Sequence, residues 1–228
     1  AASMAAETVH QWKERTGLSI YEGYGMTEAA PTVAYNHQYR HVIGSVGTEV
    51  PGVEIQIRDE NGNILEPHST GEVCVRGPNI MKGYYNNVAG TREAFWPGGW
   101  FRSGDVGVLD DNGYLFIVDR LKDMIISGGE NVYSLEVEEV LYAHPDVQEC
   151  AVIGTPDKEW GERVTAVILP KPGQTIDPKE LKDFLKARLS AYKVPKRLLM
   201  VDDFPRSPAG KLLTRKLRES FLKGDDSV

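Results

Sequence analysis

Asp119-Arg120-Leu121-Lys122-Asp123 is where the sequence changes character. Upstream the pattern is one of strands. Val53, Ile55 and Ile57 alternate with Glu54, Gln56 and Arg58, a half-buried strand closed by the turn Asp59-Glu60-Asn61-Gly62. Glu72 to Arg76 alternates again, and Val106 to Leu109 and Tyr114 to Val118 flank the hairpin signal Asp110-Asp111-Asn112-Gly113. Before these strands, Ala5, Val9 and Trp12 share one face of a helix over 5–16, Gly17 stands at its C-cap, and Leu18 to Tyr21 reads as a short strand. Downstream of the charged stretch, helices and strands alternate. A helix over 135–143 turns Val137, Val140 and Leu141 inward, and Glu149 to Ile153 and Val164 to Leu169 read as strands. Asp177-Pro178-Lys179-Glu180 is a helix start, with a capping Asp, Pro at the first helical position and Glu two residues on; Leu181, Phe184, Leu185 and Leu189 follow at helical spacing. Arg197 to Val201 is a strand and Thr214 opens a last helix. The reading is an α+β chain with a boundary near residue 120: a β-rich part over 1–120 and a small mixed α/β domain over 121–228.

The 228 residues are 41% hydrophobic and 26% charged, an ordinary globular balance that excludes a disordered acidic tail and a collagen-like fibre. No apolar run approaches the ~20 residues of a spanning helix. The 26 basic and 33 acidic residues leave a net charge of −7, which argues against general nucleic-acid binding. Cys74 and Cys150 each stand alone, forming neither a disulfide framework nor a metal cluster, so a reduced, cytoplasmic setting is expected. The opening Ala1-Ala2-Ser3-Met4-Ala5-Ala6 lacks the parts of a signal peptide and reads as an internal cut in a longer chain. The sequence shows no internal repeat and leaves the oligomeric state open.

Four short clusters carry chemistry-bearing residues. Tyr21-Glu22-Gly23-Tyr24-Gly25-Met26-Thr27-Glu28 is a Gly-rich turn ending in a hydroxyl and a carboxylate. Its backbone could approach an anion, Thr27 could donate to a phosphate, and Glu28 could hold Mg²⁺ through oxygen. On spacing alone, a plain β-turn explains it as well. Trp100-Phe101-Arg102-Ser103-Gly104-Asp105 ends in an Asp that, at a strand end, could accept from both hydroxyls of a ribose, or could simply mark a surface turn. Asp119-Arg120-Leu121-Lys122-Asp123 with Ser127-Gly128-Gly129-Glu130-Asn131 reads as a solvated linker followed by a turn. Pro205-Arg206-Ser207-Pro208-Ala209-Gly210-Lys211 is a stiff loop presenting one lysine, whose ordinary fate is the surface.

In this order, the four clusters together resemble the adenylate-forming superfamily of acyl-CoA synthetases, luciferases and peptide-synthetase adenylation domains. Tyr24-Gly25-Met26-Thr27-Glu28, the run from Asp119 through Met124-Ile125-Ile126-Ser127-Gly128-Gly129-Glu130-Asn131-Val132-Tyr133, and Gly210-Lys211 look most like fatty-acyl-CoA synthetases, with the match running from residue 1 to about 219. The family's Ser/Thr/Gly-rich phosphate loop has no counterpart here. The resemblance therefore implies the β-rich end of the large N-terminal domain followed by the whole small C-terminal domain, with the preceding part of the enzyme missing. Arg102-Ser103 stands where relatives commonly have Arg-Thr. Ile126 stands where luciferases, among others, have Lys, which argues against a luciferase-like oxidation.

The resemblance implies that a carboxylic acid, of the fatty class, attacks the α-phosphate of ATP with Mg²⁺ present. A thiol, usually that of coenzyme A, then displaces AMP while the small domain rotates. By motif position, Glu22, Gly23 and Tyr24 would border the adenine and the nucleotide-binding stretch would continue through Gly25 and Met26. Thr27 would contact the α-phosphate and Glu28 the Mg²⁺. Asp105 would bind the ribose with Arg120 nearby, and Lys211 would bridge the carboxylate and the phosphate. Lys122 would be the hinge and Gly129 would line the pantetheine tunnel. Ala30, Pro31 and Val33 would stand on the acyl wall.

Two other readings compete with the coenzyme A ligase. One is a fatty-acyl-AMP ligase serving a carrier protein, disfavoured because no surplus sequence appears between Glu28 and Asp119. The other is a silent fragment acting as a binding or structural module, which is the expectation for the isolated chain.

Overall fold

The computed structural model describes residues 6–208, 210 and 212–222. The chain divides into two compact units after Lys122.

The first unit opens with helix α1 (Ala6–Thr16), after which Gly17, at φ +73°, takes the left-handed conformation that ends it. Leu18 to Tyr21 does not form the expected strand. The antiparallel ladder starts instead at β1 (Gly23–Gly25), paired with β2 (Thr32–Tyr35) as Gly23↔Tyr35 and Gly25↔Thr32, and its last bond runs from Asn36 N to Glu22 O. Leu18 lies beyond that reach, 63% exposed. β3 (Thr48–Glu49) completes this three-stranded sheet against β2.

A second sheet holds β4 (Glu54–Arg58), β5 (Gly71–Arg76), β6 (Phe95–Trp96), β7 (Trp100–Leu109) and β8 (Leu115–Arg120), with the short helix α2 (Val88–Glu93) before β6. β5 and β7 are central. β7, about 33 Å long at ~3.3 Å per residue, takes two partners on its other edge: β6 against Trp100 and Phe101, and β8 from Asp105 onward. Glu72 to Arg76 was expected to alternate between core and solvent, yet Glu72, Val73, Cys74 and Val75 are all buried. The face that pattern leaves for water is covered by a cation–aromatic layer. Arg58 and Arg76 stack on Trp100 at 5.0 and 4.5 Å, and Arg102 on Trp96 at 4.6 Å. Val33, Val46, Val53, Ile57, Val73, Val75 and Leu115 make the core on the other side.

The second unit is built on one five-stranded sheet. β9 (Ile125–Ser127) and β10 (Glu130–Val132) form a hairpin, β11 (Val147–Asp157) and β12 (Gly161–Pro170) a long one, and β13 (Arg197–Met200) runs parallel to β12. Helices α3 (Ser134–Tyr142) and α4 (Pro178–Lys186) cover one face, with Val137, Leu141, Leu181 and Leu185 on Val152, Val164, Ala166 and Ile168. On the other face, Ala151, Ile153 and Val167 pack with Val201, Phe204 and Leu217 of α5 (Thr214–Leu222). Burial on both faces explains the apolar run 150–154 and the near-continuous run 164–168, whose one polar residue, Thr165, is buried as well. The expected cap of α4 forms: Asp177 Oδ1 accepts from Lys179 N at 2.6 Å and Glu180 N at 3.1 Å. Arg218 ties α5 to the start of the unit, donating to Asp123 Oδ1 at 3.1 Å and to its carbonyl at 3.2 Å.

Candidate functional site

Asp105 was expected at a strand end. It lies instead inside β7, as the last residue of a bulge. Between Glu72 and Cys74 of β5 stands one residue, whereas between their partners Val106 and Arg102 stand three. Gly104, at φ +71°, makes this detour possible, and Ser103 Oγ fixes it by donating to Val73 O at 2.7 Å and accepting from Asp105 N at 3.0 Å. A bulge re-aims a side chain. Here that side chain is a carboxylate, 16% exposed, in the first unit.

Two groups meet it. Tyr24 of β1 donates its hydroxyl to Asp105 Oδ2 at 2.6 Å, and Arg120, paired with Asp105 across β7 and β8, brings Nε to 3.4 Å from Oδ1. Burial first, then the Asp105 charge, holds the Tyr24 phenol well above its ordinary value, so it is a proton donor at any physiological pH. Glu72, only 6% exposed, supports the bulge: it accepts from Arg102 Nε at 3.0 Å and from Gly104 N at 3.3 Å. The carboxylate is thus held with its charge balanced and with lone pairs to spare for two further donors.

The turn after β1 carries the next group. Gly25 must be glycine, because a Cβ there would lie 1.8 Å from Pro31 O, and Gly23 is similarly crowded by Tyr35. Met26 N donates to Pro31 O at 2.8 Å, Thr27–Ala29 winds into one 3₁₀ turn, and Ala30 takes φ 48°. Thr27 is exposed and Glu28 half-buried, while Glu22, Tyr24 and Met26 are partly buried. Tyr84 donates to Glu28 Oε1 at 3.1 Å, and burial together with that carboxylate raises the Tyr84 phenol. Among the described residues no group of three or more His, Cys, Asp or Glu could hold a metal. Any cation here would rest on Glu28 and the oxygens of its ligand, the arrangement Mg²⁺ commonly adopts with phosphates. Ala30 and Pro31 are exposed beside this turn, but Val33 is fully buried in the core and leaves the proposed acyl wall.

The remaining expected site residues fall at the end of the first unit or beyond it in the sequence. Lys122 ends the first unit. Gly129 belongs to the second, where Gly128 and Gly129, at φ +63° and +84°, form the two-residue turn of the β9–β10 hairpin. Lys211 lies outside the described residues. Tyr84, Glu72 and Ser103 were not anticipated. The one available hint was Glu72, an acidic residue inside an apolar strand.

The family model for the AMP-binding enzyme matches residues 1–85, and that for the AMP-binding enzyme C-terminal domain matches 136–211. A feruloyl-CoA synthase from Amycolatopsis sp is 45% identical over 96% of the chain and 45% of its own length. An oxalate–CoA ligase from Arabidopsis thaliana is 40% identical over 98% of the chain and 44% of its own length. The crystal structure of ATP-bound MatB from Rhodopseudomonas palustris superposes with a TM-score of 0.92 at 38% identity, covering 99% of this chain and 45% of that one. The chain spans a little under half the length of the relatives it matches. Bulge, Gly-rich turn and double-glycine hairpin sit on the fold these relatives share, and the chain belongs to the adenylate-forming superfamily of AMP-binding enzymes.

Proposed function

We propose that the chain is part of an ATP-dependent acid–thiol ligase that activates a carboxylic acid, of the fatty or otherwise apolar class, and passes it to coenzyme A. A carboxylate oxygen of the acid attacks the α-phosphorus and pyrophosphate leaves. The thiolate then attacks the acyl carbon and AMP leaves.

The observation that carries the reading is the Asp105 carboxylate on its bulge, oriented by Tyr24 and Arg120. In this reading it accepts from the two ribose hydroxyls, while Glu22, Gly23 and Tyr24 border the adenine and Gly25 and Met26 hold the turn. Thr27 donates to the α-phosphate. Glu28 would hold Mg²⁺, which supplies positive charge to the phosphoryl oxygens when bound. Lys211 supplies a second positive charge where negative charge gathers in the transition state. Lys122 is the pivot between the half-reactions and Gly129 leaves room for the pantetheine arm. Exposed Ala30 and Pro31 beside Glu28 support an apolar acid. The relatives act, by their names, on acids as different as ferulate and oxalate, so the acid itself must be found by assay.

The test is ATP–pyrophosphate exchange by the enzyme that contains this chain, over fatty, aryl and dicarboxylic acids, with Asp105→Asn alongside. Exchange with apolar acids, and a raised KM for ATP in the variant, is the expected result. No exchange with any acid would overturn the proposal.

A further inference from the structure

We propose that Tyr84 is a positioning residue for the Glu28 carboxylate, its hydroxyl setting the orientation in which that carboxylate meets a divalent cation bound with the nucleotide. The inference rests on the reading of Glu28 as the metal carboxylate.

One segment, Asn79 to Tyr84, grips the Thr27–Thr32 turn at four points. Asn79 Nδ2 donates to Ala29 O at 2.7 Å and to Thr32 O at 3.0 Å, Met81 N donates to Glu28 O at 2.8 Å, and Tyr84 reaches Glu28 Oε1 at 3.1 Å. Backbone and side chain of Glu28 are therefore both referenced to the same stretch. Tyr84 is itself anchored from the far side. Its N–H donates to Thr91 Oγ1 at 2.9 Å, and Thr91 Oγ1 donates to Asn87 O at 2.8 Å at the start of α2. Gly83 lets the chain pass close by: at φ +151°, a Cβ there would lie 2.6 Å from Thr91 Cγ2.

Tyr84 is 41% exposed and stands outside the buried core of its unit. What its fixed position supplies is the hydroxyl. A free glutamate side chain loses rotamer entropy when it is immobilised. A donor already seated on Oε1 removes part of that cost before the cation arrives and turns Oε2 to a defined direction. Hydrogen bonds to a metal-binding carboxylate act in this way, and losing one typically weakens metal affinity about 10-fold or more.

The experiment compares the parent enzyme containing this chain with Tyr84→Phe, which keeps the ring, and with Glu28→Gln. Two quantities are read: the Mg²⁺ concentration that half-saturates pyrophosphate release, and the Mn²⁺ affinity of the ATP complex by water-proton relaxation. Tyr84→Phe should raise the first and weaken the second about 10-fold, with the KM for the acid unchanged. Glu28→Gln should do more. If Glu28→Gln shifts both quantities and Tyr84→Phe shifts neither, the inference is wrong and the reading of Glu28 stands. If neither variant shifts them, Glu28 does not hold the metal and both fall. A Tyr84→Phe enzyme that loses rate equally at all Mg²⁺ concentrations would make Tyr84 merely structural and overturn the inference.

Discussion

The hydroxyl of Tyr24 donates to Oδ2 of Asp105 at 2.6 Å, joining two residues 81 positions apart in the sequence. This bond links the first strand of one sheet to the bulged strand of the other, so it serves the fold as well as the site. A hydrogen bond to a charged group contributes about 1.5–3 kcal/mol, less where water can replace the donor. Tyr24→Phe should therefore destabilise the first unit by roughly 1–2 kcal/mol in urea unfolding. No loss of stability would mean that water fully substitutes for the phenol.

The same contact predicts an alkaline limit. The Tyr24 phenol is held above its ordinary 10.0 by burial and then by Asp105. The unfolded chain releases this proton near pH 10, whereas the folded chain keeps it. Above that pH the unfolded state binds fewer protons, so the contribution is fully present below about pH 10 and is lost as pH rises further. The stability of Tyr24→Phe should fall less steeply than the parent's above pH 10. Equal slopes would contradict the assignment.

Both cysteines should be inert in the folded chain. Burial, reinforced by Glu72, pushes the Cys74 thiol up to about 12, and burial with Glu138 pushes Cys150 well above its usual value. The thiolate is the reactive form. A disulfide reagent at pH 8 should label neither residue until denaturant is added, and rapid labelling under native conditions would show that the strands open.

Two glycines separate clash from backbone strain. Gly47, at φ +87°, has Tyr35 C 2.0 Å from where a Cβ would stand, while Gly129, at φ +84°, has open space around it. Gly129→Ala carries only the left-handed strain of about 1–2 kcal/mol. Gly47→Ala adds a backbone collision and should cost more than about 3 kcal/mol, in the range reserved for such steric failures. Thermal unfolding of the two variants orders them, and equal losses would refute the close approach at Gly47.

How much of this was legible in the sequence depended on the range of the interaction. Helix α4 was readable because Asp177 and Pro178 act within one turn, and the β9–β10 turn because Gly128-Gly129 carries its own geometry. Helix α2 was missed: Gly90 and Thr91 are poor helix formers, and the Asn87 side chain capping Gly90 N stabilises it in compensation. Asp105 stood out by its motif as a candidate, but the bulge that aims it is a relation between β5 and β7 that no single strand encodes. The Tyr84–Glu28 contact spans 56 residues and left no local trace. The expected strand Leu18 to Tyr21 failed because its apolar residues had no partner strand at that register.

In the proposed reaction the acid is activated by attack of its own oxygen on the α-phosphorus. Supply the enzyme containing this chain with a fatty acid carrying ¹⁸O in both carboxylate positions, ATP, Mg²⁺ and coenzyme A, and analyse the products by mass spectrometry. The expected result is one ¹⁸O atom in each AMP formed, with the other retained in the thioester. Label appearing in inorganic phosphate alongside ADP would contradict it.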